Sequence, residues 1–272
     1  MASPRVLLLG GHGKISLHLT PLLLARSWNV TSVIRNPDQS DEILKLGEGK
    51  KGKVDVLISS LDDIKSESDA RSILDKVKPE YVVWSAGAGG KGGADRTYAV
   101  DQDAAKHFIS TSFSTPSITK FLLVSHSGSR RNRASWMSDE AWAGVRRTFE
   151  EVLPDYCKAK LEADEFMVAA AKKRADKDGD AAKFQSICLR PGTLSDDPAT
   201  RKVQLGKTST VGKVSREDVA IVADKLLARG DTRGWYDLLG GDEPVDEAIK
   251  RVVRDKVDAI EGEDLEKIYS RF

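Results

Sequence analysis

Two cysteines in 272 residues, Cys157 and Cys188, are too few for a disulfide framework and stand at no metal-ligand spacing. No metal centre is expected, and both read as reduced thiols of a cytoplasmic protein. Long apolar runs are missing: none approaches the roughly 20 residues that span a bilayer. The opening Met-Ala-Ser-Pro-Arg has neither the charged start nor the cleavage site of a signal peptide. An excess of one charge is missing too. Lys and Arg number 43 against 42 Asp and Glu, a net charge of +1, which supplies no field for nucleic acid or an anionic membrane. What remains, with 40% hydrophobic and 31% charged residues, is the composition of a soluble globular protein. The expected partner is a small molecule, and the expected compartment is the cytoplasm.

The chain is long enough for one α/β domain of ordinary size. It shows no internal repeat and no linker that would split it. A single domain over 1–272 is expected, with 191–272 contributing a small, mainly helical lobe on the substrate side. Short apolar runs at 6–9, 30–34, 54–59, 81–84, 121–124 and 185–189 read as strands, and 235–239 as an edge strand. Helical patterns lie between and after them, at 16–27, 41–46, 68–78, 101–112, 140–173, 219–228, 245–254 and 262–270. Pro21 suggests that the first helix properly starts near Thr20, since proline is tolerated in a first turn. Pro154 interrupts the long pattern. Strands that are apolar throughout are buried on both faces, as in a parallel sheet, and their alternation with helices predicts a doubly wound α/β fold. Right-handed crossovers then bring the loops at 10–13, 87–93, 125–129 and 190–194 to one crevice.

The first of these loops carries the clearest signal. An apolar strand runs into Gly10-Gly-His-Gly-Lys-Ile-Ser16, and a helix begins at once. Helix N-terminal amides and close backbone approach suit a pyrophosphate, so Gly10, Gly11, His12, Gly13, Lys14 and Ile15 are candidate dinucleotide contacts. Ser16 stands where a third glycine is usual and is small enough to pack there. Arg35, just past the second strand, occupies the place where an acidic residue would bind ribose hydroxyls. An arginine there suits a 2′-phosphate, which favours NADP over NAD. Ser60, Leu61 and Asp62 follow the third strand and either line an adenine pocket or cap a turn. Ser85, Ala86 and Gly87 open a glycine-rich loop that lets backbone approach the cofactor or merely links two elements.

Tyr156 and Lys160 lie four apart on a helical pattern and so on one face. A tyrosine is a poor acid or base near neutrality, and a neighbouring ammonium lowers its pKa. The pair can then give a proton to a carbonyl oxygen or take one from an alcohol. At the end of the fifth strand, Ser127 is the first choice and Ser125 the second for a hydroxyl that holds the same oxygen. His126 between them reads as a loop residue. The stretch 126–148, with Arg130, Arg131, Arg133, Trp136, Met137 and Trp142, either holds an anionic or planar substrate or is a solvated basic loop over packed tryptophans. Ser195-Asp-Asp-Pro198 borders the pocket or makes a turn. The run 176–180 has its glycine too early for a calcium loop, and no glutamate closes it.

The glycine turn, the strand-end serine, Tyr156-x-x-x-Lys160 and Leu189-Arg-Pro-Gly192 together resemble the short-chain dehydrogenase/reductase superfamily, over roughly residues 5–225. The resemblance is closest to its extended and atypical branch, which includes nucleoside-sugar epimerase-like and NmrA-like proteins. It implies a Rossmann-type fold, a nicotinamide cofactor and a Ser127–Tyr156–Lys160 site, with Lys160 also holding the nicotinamide ribose and Pro191 and Gly192 passing beside the nicotinamide. Val100-Asp101 stands where such proteins often have Val-Asn. The implied activity is an NADP(H)-dependent oxidoreductase acting on a carbonyl or alcohol. The alternatives are a non-catalytic NADP-sensing regulator and an NAD(P)-dependent epimerase/dehydratase. By analogy of fold, helix pairs of such proteins allow a homodimer.

Overall fold

The computed structural model describes residues 3–89, 92–179 and 184–272. Gly90, Lys91 and Asp180, which fall in two of the loops singled out above, lie outside them. The strands are β1 (Arg5–Leu9), β2 (Asn29–Ile34), β3 (Val54–Ile58), β4 (Tyr81–Trp84), β5 (Lys120–Val124), β6 (Gln185–Pro191), β7 (Thr193–Ser195), β8 (Lys202–Gly206), β9 (Lys213–Ser215), β10 (Gly234–Gly240) and β11 (Glu243–Pro244). The α-helices are α1 (Lys14–Ala25), α2 (Ser40–Lys45), α3 (Glu67–Val77), α4 (Gly93–Thr97), α5 (Ala105–Phe113), α6 (Asp139–Arg147), α7 (Pro154–Asp178), α8 (Arg216–Ala228), α9 (Val245–Arg254) and α10 (Leu265–Arg271).

The large sheet has the order β11-β8-β10-β6-β5-β4-β1-β2-β3. It is parallel from β3 across to β10 and antiparallel at β8 and β11. The chain winds outward from β1 to β3, then crosses back to β4 and winds the other way. Order reverses between β1 and β4, and a crevice opens beyond the carboxyl ends of those two strands. This is the expected doubly wound, Rossmann-type architecture.

Each central strand feeds two cores, because alternate side chains point to opposite faces. Val6 and Leu8 pack with Leu19 and Leu23 of α1 and Val219 and Val222 of α8. Leu7 and Leu9 pack on the other face with Ile73 of α3, Phe108 of α5 and Leu161 of α7. Burial on both sides explains why the strand reads as an unbroken apolar run. Truncating any of these leucines to alanine costs about 2–5 kcal/mol.

The elements depart from expectation in four places. Helix α1 starts at Lys14 and continues through Pro21. Proline removes one helical hydrogen bond, yet burial of the Leu19 and Leu23 side against α8 carries the helix on. Helices α4 and α5 are joined by a π-helical segment, Tyr98–Ala104. The long pattern at 140–173 splits into α6 and α7 at a second π-helical segment, Thr148–Val152, and at Leu153, whose extended φ of −137° precedes Pro154. Strand β10 is no edge: it lies between β6 and β8 with Trp235 through Leu239 buried. Residues after Pro191 thus add β8, β10 and β11 to the central sheet, besides the separate β7–β9 pair. No helix among the described residues is long and apolar enough to cross a membrane.

Candidate active site

The turn after β1 is built for close approach. Gly10 has φ +82°, and a Cβ there would stand 2.7 Å from Ala86 Cα. A Cβ on Gly11 would stand 2.6 Å from Ser32 Cβ. The Gly13 N–H donates to Gly10 O at 2.9 Å, and α1 then begins with no side-chain cap and no acid in its first turn. Its leading amides and positive dipole end are therefore left for an anion. Ser16 is buried, as its packing place requires. Beside the turn opens a cavity of about 490 Å³ between the ends of β1, β2, β3 and β4. Gly10, Gly11, His12, Gly13, Lys14, Arg35, Leu61, Asp62, Ser85, Ala86 and Gly87 all line it. Ile15 instead turns into the core. The cavity and its glycine cradle fit a dinucleotide.

At the β2–β3 end, Asp62 gathers two guanidinium groups. Arg96 donates Nε to Asp62 Oδ1 at 2.7 Å and Nη2 to Oδ2 at 3.2 Å, and Arg35 Nη1 lies 3.3 Å from Oδ2. Hydrogen bonds from Arg96, followed by those from Arg35, hold the Asp62 carboxyl below the usual carboxylate range. Ser60 caps the short turn through the Asp62 N–H at 3.3 Å, so its hydroxyl serves the turn while Leu61 and Asp62 face the cavity. Arg96, which also donates to Ala88 O, was invisible to sequence reasoning. It is an isolated arginine in α4, brought to the cavity only by the fold. Two further side chains of the glycine turn are engaged: His12 pairs with Glu42 at 2.6 Å, and Lys14 with Asp196 at 2.5 Å. Asp196 also holds Arg216, which ties the stretch 195–198 to the turn.

Tyr156 and Lys160 project from the first turns of α7. Lys160 is buried; its Nζ lies 2.9 Å from Asp101 Oδ1, 3.5 Å from Ala86 O and 3.4 Å from Val124 O. The lysine thus reaches the wall of the dinucleotide cavity. Asp101 comes from the π-helical segment, and its other oxygen accepts the Ala88 N–H at 2.8 Å. Burial works against the Lys160 charge, but Asp101 outweighs it and raises the ammonium above its ordinary pKa. Tyr156 behaves differently from expectation. Burial raises its hydroxyl above the ordinary value, and the pull of Lys160 does not reverse that. The physical reason is that burial outweighs the attraction of Lys160, and the nearby Asp101 carboxylate raises the phenol further.

The end of β5 is tied to β6 by two backbone bonds, Ser125 N–H to Leu189 O at 2.8 Å and Ser127 N–H to Pro191 O at 3.1 Å. Ser127 has no exposed surface, and its hydroxyl has no partner among the described residues. Ser125 is buried beside it. Arg190 anchors the layer beneath: it binds Asp164 and Asp237 and donates to the carbonyls of Ser127 and Ser129. The side chain that faces Tyr156 is His126, with ring centroids 5.6 Å apart. Pro191 and Gly192 are buried; a Cβ on Gly192 would stand 2.4 Å from Leu239 Cδ2, so only glycine fits there. The insertion at 126–148 folds against the chain's own groups. Arg130 donates to Ala259 O and Glu261 O, Arg131 to Glu162 and Glu165, and Arg133 to Met137 O and Asp139. Trp136 donates to Thr208 O at 3.0 Å. All three arginines are engaged by the chain's own carbonyls and carboxylates, and Arg130 ties the stretch to the C-terminal segment.

Residues 10–229 match the family model described as NAD(P)H-binding, and the chain belongs to that family. A Bacillus subtilis protein named "Uncharacterized sugar epimerase YhfK" is 27% identical over 250 residues, covering 91% of this chain and 100% of that one. Among solved structures, a putative NAD-dependent epimerase/dehydratase from Bacillus halodurans superposes with TM-score 0.71 at 23% identity, over 92% of this chain and 100% of that chain. A 3-oxoacyl-[acyl-carrier protein] reductase from Brucella melitensis in complex with NAD gives TM-score 0.56 at 19% identity, over 85% and 92% of the two chains. These likenesses agree with an NAD(P)-binding fold of the oxidoreductase and epimerase kind.

Proposed function

We propose that this protein is an NADP(H)-dependent oxidoreductase of the short-chain dehydrogenase/reductase type, which reduces a carbonyl or oxidises an alcohol of a small cytoplasmic metabolite. The observation that carries this reading is Lys160. Its ammonium stands within reach of Ala86 O in the dinucleotide cavity, one helical turn from Tyr156. A nicotinamide held there supplies hydride exchange. Tyr156 gives the substrate oxygen its proton, or takes it, and Lys160 keeps a positive charge beside the phenol. Arg35 and Arg96 provide guanidinium groups where a ribose 2′-phosphate would lie, and that phosphate would take Arg35 from Asp62. The test is titration with NADPH and NADH, followed by a carbonyl screen with Tyr156→Phe as control. Tighter NADPH binding and at least 100-fold lower turnover in the variant support the reading; unchanged turnover removes Tyr156 from it.

The name of the Bacillus subtilis relative favours a second reading, an epimerase that oxidises and re-reduces its substrate within one turnover. Cofactor that co-purifies and does not exchange with labelled NADP in solution would select it.

A further inference from the structure

The oxidoreductase reading needs a second group on the substrate oxygen, and Ser127 has no surface from which to offer one. We infer that His126 is that group: the imidazole Nε2–H donates a hydrogen bond to the same substrate oxygen that Tyr156 protonates. Four observations converge. His126 is partly exposed where Ser125 and Ser127 are buried. Its ring packs edge-on to Tyr156, with centroids 5.6 Å apart and planes inclined at 64°, so the imidazole is the polar ring beside the phenol. Nδ1 faces inward, 4.0 Å from Cys157 Sγ, which leaves Nε2 on the opposite side of the ring with no partner among the described residues. Gly128 makes the room: a Cβ there would stand 2.7 Å from His126 Cε1.

The surroundings fix the ring's state. Burial, then the charges of Arg190 and Lys160, push its pKa down to about 4, so it is neutral at pH 7. Burial holds the Cys157 thiol up at about 11, so it stays an S–H, with His126 Nδ1 and Thr148 O both 4.0 Å from the sulfur. A proton on Nδ1 would meet only this weak sulfur acceptor, whereas Nε2 is engaged by none of the described residues and can offer its proton to a ligand. His126 then acts as a fixed neutral donor and undergoes no proton transfer itself. Tyr156 supplies the proton, and the imidazole steadies the charge that develops on oxygen.

The inference rests on the oxidoreductase reading, and one series of variants separates the two. With NADPH and 9,10-phenanthrenequinone as a general carbonyl probe, His126→Ala is expected to lower kcat 10- to 100-fold with NADPH affinity within twofold of the parent. His126→Ser, which restores a donor, is expected to recover part of the loss, and His126→Phe none. The loss in His126→Ala should exceed that in Ser127→Ala; the reverse order overturns the inference. If Tyr156→Phe is inactive while the His126 variants keep full activity, this inference alone fails. If Tyr156→Phe is fully active, the oxidoreductase reading fails with it. A readout independent of turnover uses long-range ¹H–¹⁵N NMR of the labelled protein, with His126→Gln to assign the ring. A neutral Nε2–H tautomer at pH 7 is expected. An Nδ1–H tautomer or a charged ring overturns the assignment whatever the activity.

Discussion

Asp101 and Lys160 meet at 2.9 Å with both side chains buried, and this contact joins the π-helical segment to the helix that carries Tyr156. An asparagine at 101 could still accept the Ala88 N–H but would leave the ammonium with only the Ala86 and Val124 carbonyls. Asp101→Asn should therefore cost about 3–5 kcal/mol at pH 7, as expected for a buried charge stripped of its partner. It should also change the sign of the pH dependence. Burial is the largest influence on Lys160, and without Asp101 it would pull the folded-state pKa below the unfolded value. The unfolded chain then binds more protons, and stability rises with pH up to the lysine range. Thermal unfolding between pH 7 and pH 9.5 checks this: the variant should gain stability across that interval where the parent does not.

The glycine turn predicts a loss of cofactor. Gly10→Ala forces a side chain into φ +82° and sets its Cβ 2.7 Å from backbone at Ala86. Backbone cannot swing aside as a side chain can, so β1 and β4 must separate locally or the turn must move. NADPH affinity measured by calorimetry should fall at least tenfold, with about 1–2 kcal/mol lost in stability. Unchanged affinity would detach the turn from cofactor binding.

Arg35 offers a test of cofactor choice. Its Asp62 pairing is long, at 3.3 Å, and both side chains are substantially exposed, so little stability depends on it. Arg35→Ala should leave NADH binding and thermal stability near those of the parent. It should weaken NADPH binding about 10- to 100-fold, the scale of one charge-assisted contact to phosphate. Equal losses for both cofactors would place Arg35 away from the 2′-phosphate.

The parts of the fold that were legible in the sequence are those with strong local signals. Val6 to Leu9 announce a strand buried on both faces, and the glycines that follow announce the turn, because no other residue tolerates that backbone approach. Tyr156 and Lys160 are likewise legible, since a helix fixes the relation of residues four apart. Strand β8 was not, because its alternation of Lys202, Val203, Gln204 and Leu205 is too short to distinguish from a loop, and without β8 the Trp235–Leu239 run looks like an edge. The contact between Asp101 and Lys160 depends on how α7 packs on the π-helical segment, which no local pattern encodes. The burial of Ser127 and the partial exposure of His126 depend on how the chain turns after Val124. Strand alternation ends there, and bonds from Arg190 to the Ser127 and Ser129 carbonyls fix the course of the backbone.

His126 also predicts an acid-side effect that can be isolated. Its folded-state pKa, about 4, lies below the ordinary histidine value of 6.5. Between these values the unfolded chain takes up a proton that the folded chain refuses, so stability falls as pH drops through this window. Asp164 and Asp237 oppose this. Burial pushes both up to about 6 despite Arg190, so the folded state takes their protons first and gains relative stability on acidification. The two effects overlap in the parent protein and partly cancel. His126→Gln removes only the histidine's share and leaves both aspartates in place. Urea unfolding at pH 7 and pH 4.5 should then show the variant losing less stability than the parent, or gaining some. Parallel losses in the two proteins would mean that His126 titrates normally and that its ring is not enclosed beside Tyr156, Arg190 and Lys160.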